Sequence, residues 1–282
     1  MALNLDSSSI LLGLLLGTVQ AITEFLPISS SGHLVMVETL IASSPNSLAF
    51  DVGLHIGTLI AILVSFKSTI SSIILACLKR LSRKDRLTQD DRHYSKIGLL
   101  LIIGTIPATI TGLLFIDIIE LYLREPWLIA MTLALGAVIM WIADRNAAHL
   151  SKMSDFDLKG VTIIGFAQAI ALVPGMSRSA MTISAARLLG HSRQQAAKFS
   201  FLLAVPVIIG AGTLTGLRSF RSGLPIDWDL LLIGSATAFF IGILVIKLFL
   251  SYLEKYNLSL FISYRIILAA LIAIGILTKN VM

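Results

Sequence analysis

Hydrophobic and polar positions neither alternate along this chain nor form one-sided stripes. Long runs are apolar on every side, and the polar residues collect between them. Leu230 to Leu250 carries Lys247 as its only charge, the pattern of a helix that crosses a bilayer and not of a barrel strand, which alternates over about ten residues. Apolar segments fall near 8–26, 30–42, 50–66, 97–115, 126–144, 160–173, 177–189, 197–217, 230–250 and 260–279. The stretch 68–78 is too short to span and predicts an interfacial helix.

Four of the segments, 8–26 with 30–42 and 160–173 with 177–189, are short or broken by Pro and Gly, and each pair predicts a re-entrant hairpin. The other six predict spanning helices. The expected fold is therefore an all-α polytopic membrane protein, a single integral membrane domain over 1–282. Within it, repeat 1 covers about 1–145 with its hairpin at 8–42, and repeat 2 about 160–282 with its hairpin at 160–189. The repeat is visible in the residues themselves: "GTVQAITEFLPISSSGH" from Gly17 and "GFAQAIALVPGMSRSAM" from Gly165 share Gly-x-x-Gln-Ala-Ile at an offset of 148. Paired interrupted segments in corresponding halves point to a midplane site between inverted-topology repeats.

Composition agrees. The 282 residues are 56% hydrophobic and 13% charged, with mean hydropathy +0.90, values of a membrane protein. The first apolar segment follows Asp6 with no Lys or Arg before it, so it lacks the basic start of a cleavable signal and reads as structure. The excess of Lys+Arg lies in separate short loops, which argues for topology and not for a nucleic-acid partner. Sixteen of these residues fall in loops 67–96, 145–159, 187–198 and 247–255, against four (Arg124, Arg218, Arg221, Lys279) on the opposite set. That bias orients the first set to the cytoplasm. Arg178 and Arg265 belong to neither set. The single cysteine, Cys77, excludes an internal disulfide, and the acidic run Asp90-Asp91 reads as a solvated face.

Candidate chemistry gathers at the two breaks. Gln20 and Glu24, four apart, share a helix face. A carboxylate at that depth needs a partner or a wet cavity; interhelical hydrogen bonding would also account for both residues. Pro27 ends the helix, and Ser29, Ser30, Ser31 and Gly32 supply hydroxyls and amides at the start of the next one, with His33 in its first turn. The second break repeats the device at Ser177 and Ser179 and adds the guanidinium of Arg178, with Thr182 one turn on. Helix N-termini and arginine both suit phosphate. An anion beside Glu24 calls for a divalent cation between them, Mg²⁺ or Ca²⁺, bound by Glu24 and phosphate oxygens.

In these motifs, "QAITEFLPISSSGH" and "PGMSRSAMT", and in its layout of segments, the chain resembles the undecaprenyl-diphosphatases, bacterial membrane lipid phosphatases also called bacitracin-resistance proteins. The resemblance implies hydrolysis of undecaprenyl diphosphate to the monophosphate and inorganic phosphate, recycling the carrier for cell-wall synthesis. It also implies a divalent cation, inverted repeats, and a site in the bacterial cytoplasmic membrane open to the extracytoplasmic side. Glu24, His33, Ser30 and Arg178 would be catalytic, and Gln20, Ser29, Ser31, Gly32, Ser177, Ser179 and Thr182 would bind substrate. The resemblance also makes Glu24 and Gln20 the cation-binding pair, with Gln20 standing where that family also uses Glu, so that Glu24 carries more of the role. The expected partners are the polyprenyl diphosphate and membrane lipids; a homodimer is compatible with the reading. Either His33 attacks phosphorus, or Ser30 attacks and His33 takes its proton. A secondary transporter of phosphate or lipid phosphate is the competing reading of the repeats.

Overall fold

A computed structural model describes residues 7–30, 32–33, 48–82, 87–146, 156–222 and 227–278. Ser31 and the 34–42 part of the first expected hairpin lie outside the described residues. Among the described residues the elements are α-helices joined by short connections: α1 (Ser7–Phe25), α2 (Leu48–Ser65), α3 (Lys67–Ser82), α4 (Gln89–Tyr122), α5 (Pro126–Asn146), α6 (Leu158–Ile170), α7 (Arg178–Leu188), α8 (Arg193–Ser222), α9 (Trp228–Lys255) and α10 (Ser259–Leu277). Ser30, Gly32 and His33 are helical as well.

The protein is a multi-pass membrane protein. Among the described residues five helices, within α4, α5, α8, α9 and α10, are long and apolar enough to cross a bilayer, and the α2–α3 pair makes a sixth if it is one span. That pair bends by 82°, so the 68–78 stretch leaves the direction of α2. Large side chains such as Leu11, Ile102, Leu113, Phe240 and Leu271 face outward; in a bilayer their neighbour is lipid.

The core surrounds the second break. Every residue from Ser179 to Arg187 is buried, and Ala180, Ile183, Phe199, Phe201 and Leu203 pack there with Phe25 from α1. An eleven-residue helix spans only about half of a bilayer at 1.5 Å per residue. Its polar ends are tolerated because protein encloses them.

The two Gly-x-x-Gln-Ala-Ile segments sit in equivalent packing. Added at Gly17 of α1, a Cβ would lie 2.5 Å from the Gly234 carbonyl of α9, and one at Gly165 of α6 would lie 2.7 Å from the Gly104 carbonyl of α4. Glycine is required at both because the partner is backbone and cannot yield. Gly104 and Gly234 themselves occupy matching sequences, Ile103-Gly104-Thr105 and Ile233-Gly234-Ser235.

One expectation needs correction. Asp91 is not a solvated charge: it closes a capping box with Thr88 at the start of α4 and pairs with Lys79 at 2.9 Å. The run marks a helix start because its carboxylate answers orphan amides.

Candidate active site

The two breaks have the same local construction. Ser29 and Ser177 have φ of 80° and 71°, and among the described residues no other non-glycine has positive φ. The Oγ of Ser29 accepts from the Gly32 amide at 3.3 Å, and that of Ser177 from the Ala180 amide at 3.3 Å. Each serine caps the helix that follows, in a backbone conformation that an L-residue adopts at a cost. They stand 148 apart, the offset of the Gly-x-x-Gln-Ala-Ile pair. In this register Ser30 answers to Arg178.

Both of those residues meet at Glu24. The buried carboxylate accepts from Nη2 of Arg178 on Oε1 at 3.0 Å, and from Oγ of Ser30 on Oε2 at 3.0 Å. The Gln20 amide donates to Oε2 at 3.3 Å, and Nε2 of His55 on α2 lies 3.9 Å from the same oxygen. Arg178 is held in turn by the Ser200 carbonyl at 3.0 Å, and Thr182 bonds the Ser200 hydroxyl at 2.7 Å. A buried carboxylate tolerates burial only with such partners.

The breaks are also tied to each other. Ser179 donates to the Leu26 carbonyl at 3.1 Å. Arg265 of α10, fully buried, reaches the Gly175 carbonyl at 2.9 Å, the Pro27 carbonyl at 3.4 Å, and the Leu133 and Thr132 carbonyls of α5 at 3.2 and 3.4 Å. Helix breaks strand carbonyls, and this guanidinium collects them from both loops. Gly175, at φ 89°, leaves no room for a Cβ against Thr132, whose hydroxyl donates to the Pro174 carbonyl at 2.6 Å.

His33 stands at the edge of this cluster. Its Nδ1 is 2.6 Å from the Ser29 carbonyl and its Nε2 2.6 Å from the Tyr264 hydroxyl, with the two rings stacked at 5.6 Å and 9°.

Of the residues expected from sequence, Gln20, Glu24, Ser30 and Arg178 form one connected group. Ser29 and Ser177 build the turns, Gly32 donates to the Ser29 cap, Ser179 ties the breaks together, and Thr182 braces Ser200. Sequence reasoning missed His55, Ser200, Thr132 and Tyr264 and gave no role to Arg265. The one available signal was that Arg265 is the single charged residue over Ser259–Leu277, since an arginine within a span needs a partner.

The group fits a divalent cation. Oε1 of Gln20 is buried without a hydrogen-bond partner, beside a carboxylate, and both are hard oxygen donors of the kind Mg²⁺ and Ca²⁺ take. No cluster of three or more His, Cys, Asp or Glu exists among the described residues, so phosphate and water oxygens would complete the coordination.

Residues 13–271 match the family model described as bacitracin resistance protein BacA. The chain belongs to that family. It is 45% identical over 266 residues to the undecaprenyl-diphosphatase of Elusimicrobium minutum, covering 94% of this chain and 97% of that one. It is 40% identical over 261 residues to the undecaprenyl-diphosphatase of Chromohalobacter salexigens, 93% and 97% covered. Against undecaprenyl-diphosphatase 1 of Pseudoalteromonas translucida it is 40% identical over 255 residues, 90% and 94% covered. The BacA match embraces both breaks and Arg265.

Proposed function

We propose that this BacA-family protein hydrolyses undecaprenyl diphosphate to undecaprenyl phosphate and inorganic phosphate, the activity its relatives are named for, and so recycles the lipid carrier of cell-wall synthesis. The observation that carries the reading is the meeting of Ser30 and Arg178, one from each break, on the single buried carboxylate of Glu24. Phosphoryl transfer asks a protein mainly for positioning and charge stabilisation. Arg178 is the residue that can turn its fork to the phosphate oxygens.

Ser30 is the better placed nucleophile. Its hydroxyl already donates to Oε2 of Glu24, whereas both ring nitrogens of His33 are engaged. Ser30 Oγ attacks the terminal phosphorus in line, its proton passes to Glu24, and undecaprenyl phosphate leaves; water, giving a proton to Nε2 of His33, then hydrolyses the phosphoserine, and Glu24 returns its proton to Ser30 Oγ. Glu24 and Oε1 of Gln20 would hold the divalent cation, which when bound supplies charge neutralisation to the transferring phosphate.

The common offset of 148 at Gly17/Gly165 and Ser29/Ser177 supports two inverted repeats with re-entrant breaks. The sixteen-to-four bias of basic residues between loop sets supports an orientation in the bacterial inner membrane with the site open to the extracytoplasmic side.

The test is phosphate release from undecaprenyl diphosphate by purified protein in detergent. Release there, where no gradient exists, excludes pure transport; a folded protein that releases none under Mg²⁺ or Ca²⁺ overturns the reading. Rapid-quench labelling is expected to find the phosphoryl group on Ser30, and label on His33 would reverse the choice of nucleophile.

A further inference from the structure

Tyr264 and Arg265 are adjacent on α10, yet they serve opposite sides of the site. Arg265 turns inward to the carbonyls of both breaks, and Tyr264, 40% exposed, turns to His33. The geometry at His33 determines where the imidazole proton sits. A carbonyl oxygen only accepts, so the 2.6 Å contact between Nδ1 and the Ser29 carbonyl places a proton on Nδ1. A second proton on Nε2 would add a positive charge to a break whose Pro27 carbonyl already holds the guanidinium of Arg265, a fully buried charge that pairs with carbonyls alone among the bonds it makes. The neutral ring therefore keeps its lone pair on Nε2, and the Tyr264 hydroxyl donates to it across 2.6 Å.

We propose that Tyr264 is a positioning residue for the reaction: with the Ser29 carbonyl it locks His33 as the Nδ1–H tautomer, leaving Nε2 as the one basic nitrogen. The phenol ring, stacked at 9°, fixes the plane of the imidazole, and the hydroxyl fixes its rotation and its tautomer. A histidine that exchanges a proton during phosphoryl transfer works only from the correct nitrogen. Ser29 is thereby used twice, its hydroxyl capping the helix and its carbonyl holding the ring, and its positive φ is the backbone conformation that supports both.

The activity part of this inference rests on the phosphatase reading; the tautomer part does not. The full chain, labelled with ¹⁵N-histidine and held in lipid nanodiscs, gives imidazole resonances for its five histidines, and those of His33 are assigned by their loss in H33Q. The expected spectrum has a protonated Nδ1 and a bare, hydrogen-bonded Nε2. In Y264F, which keeps the stack and loses the hydroxyl, the Nε2 resonance moves. There kcat falls by at least about tenfold, a part of the 10²–10⁴ that acid–base catalysis supplies, with KM unchanged. A protonated Nε2, or an averaged mixture of tautomers in the unsubstituted protein, overturns the proposal, as does Y264F with full kcat. If the unsubstituted protein releases no phosphate at all, the phosphatase reading fails while the spectrum still decides the tautomer.

Discussion

Nη2 of Arg178 lies 3.0 Å from Oε1 of Glu24, joining two residues 154 apart in the chain through one ion pair in which both side chains are nearly shut off from solvent. This contact links the two helix breaks electrostatically. It also sets up a competition, since a phosphate entering the site draws on the same guanidinium.

R178A removes the clamp and leaves Glu24 without its main countercharge. Loss of one oriented charge stabiliser costs roughly 10²–10³ in kcat, and breaking a buried pair destabilises by roughly 3–5 kcal/mol. Steady-state kinetics and thermal unfolding check both, and R178A with near-normal kcat/KM excludes the clamp. R178K is expected to recover part of the stability but little of the rate, because an ammonium cannot bridge two phosphate oxygens.

Q20E puts a second carboxylate beside Glu24, where Oε1 of Gln20 now has no partner. The half-saturating concentration of Mg²⁺ should fall, and activity without added cation should fall too, since two carboxylates repel when no metal lies between them. A cation titration of phosphate release measures this; unchanged dependence would remove Gln20 from the cation site.

At Ser29 and Ser177 the sign depends on the replacement. S177A loses the cap to Ala180 and keeps the positive φ, which together cost about 1–2 kcal/mol, whereas S177G loses the cap but relieves the backbone and costs a few tenths. The same order should hold for S29A and S29G. Unfolding midpoints of the four variants test it, and a glycine variant less stable than its alanine counterpart would contradict the account.

G175A meets two penalties: φ of 89°, and no space for a Cβ beside Thr132. Backbone strain of this kind costs about 1–3 kcal/mol before the clash is added. A lowered midpoint with lost activity is the expected result. Recovery on adding T132S, which keeps the clashing Oγ, would be unexpected; partial recovery on adding T132A is the outcome that identifies the clash.

R265M keeps an unbranched apolar body in place of the guanidinium but strands the carbonyls of Pro27 and Gly175. Unsatisfied buried acceptors cost roughly 1–3 kcal/mol each, and both breaks lose their common tie. The midpoint and kcat should fall together in R265M, with R265K intermediate. A drop in kcat alone, with stability intact, would assign Arg265 to substrate and not to the loops.

The sequence by itself determined the spans, the two breaks and the group of polar residues at them. The bilayer leaves few choices: a segment either satisfies its backbone as a helix or breaks where protein encloses it, and Pro27, Pro174 and Gly175 announce the breaks. The offset of 148 was legible for the same reason, because Gly17 and Gly165 have to be glycine wherever two backbones touch. Only the tertiary structure decided the partners. An arginine or tyrosine in an apolar helix can face lipid headgroups, a cavity or another helix, and spacing along its own helix does not say which. Arg265 reaches the Pro27 carbonyl across 238 residues and Tyr264 reaches His33 across 231. Such contacts are set by how α10 packs against the breaks, and that packing is a property of the assembled helices and not of any one segment.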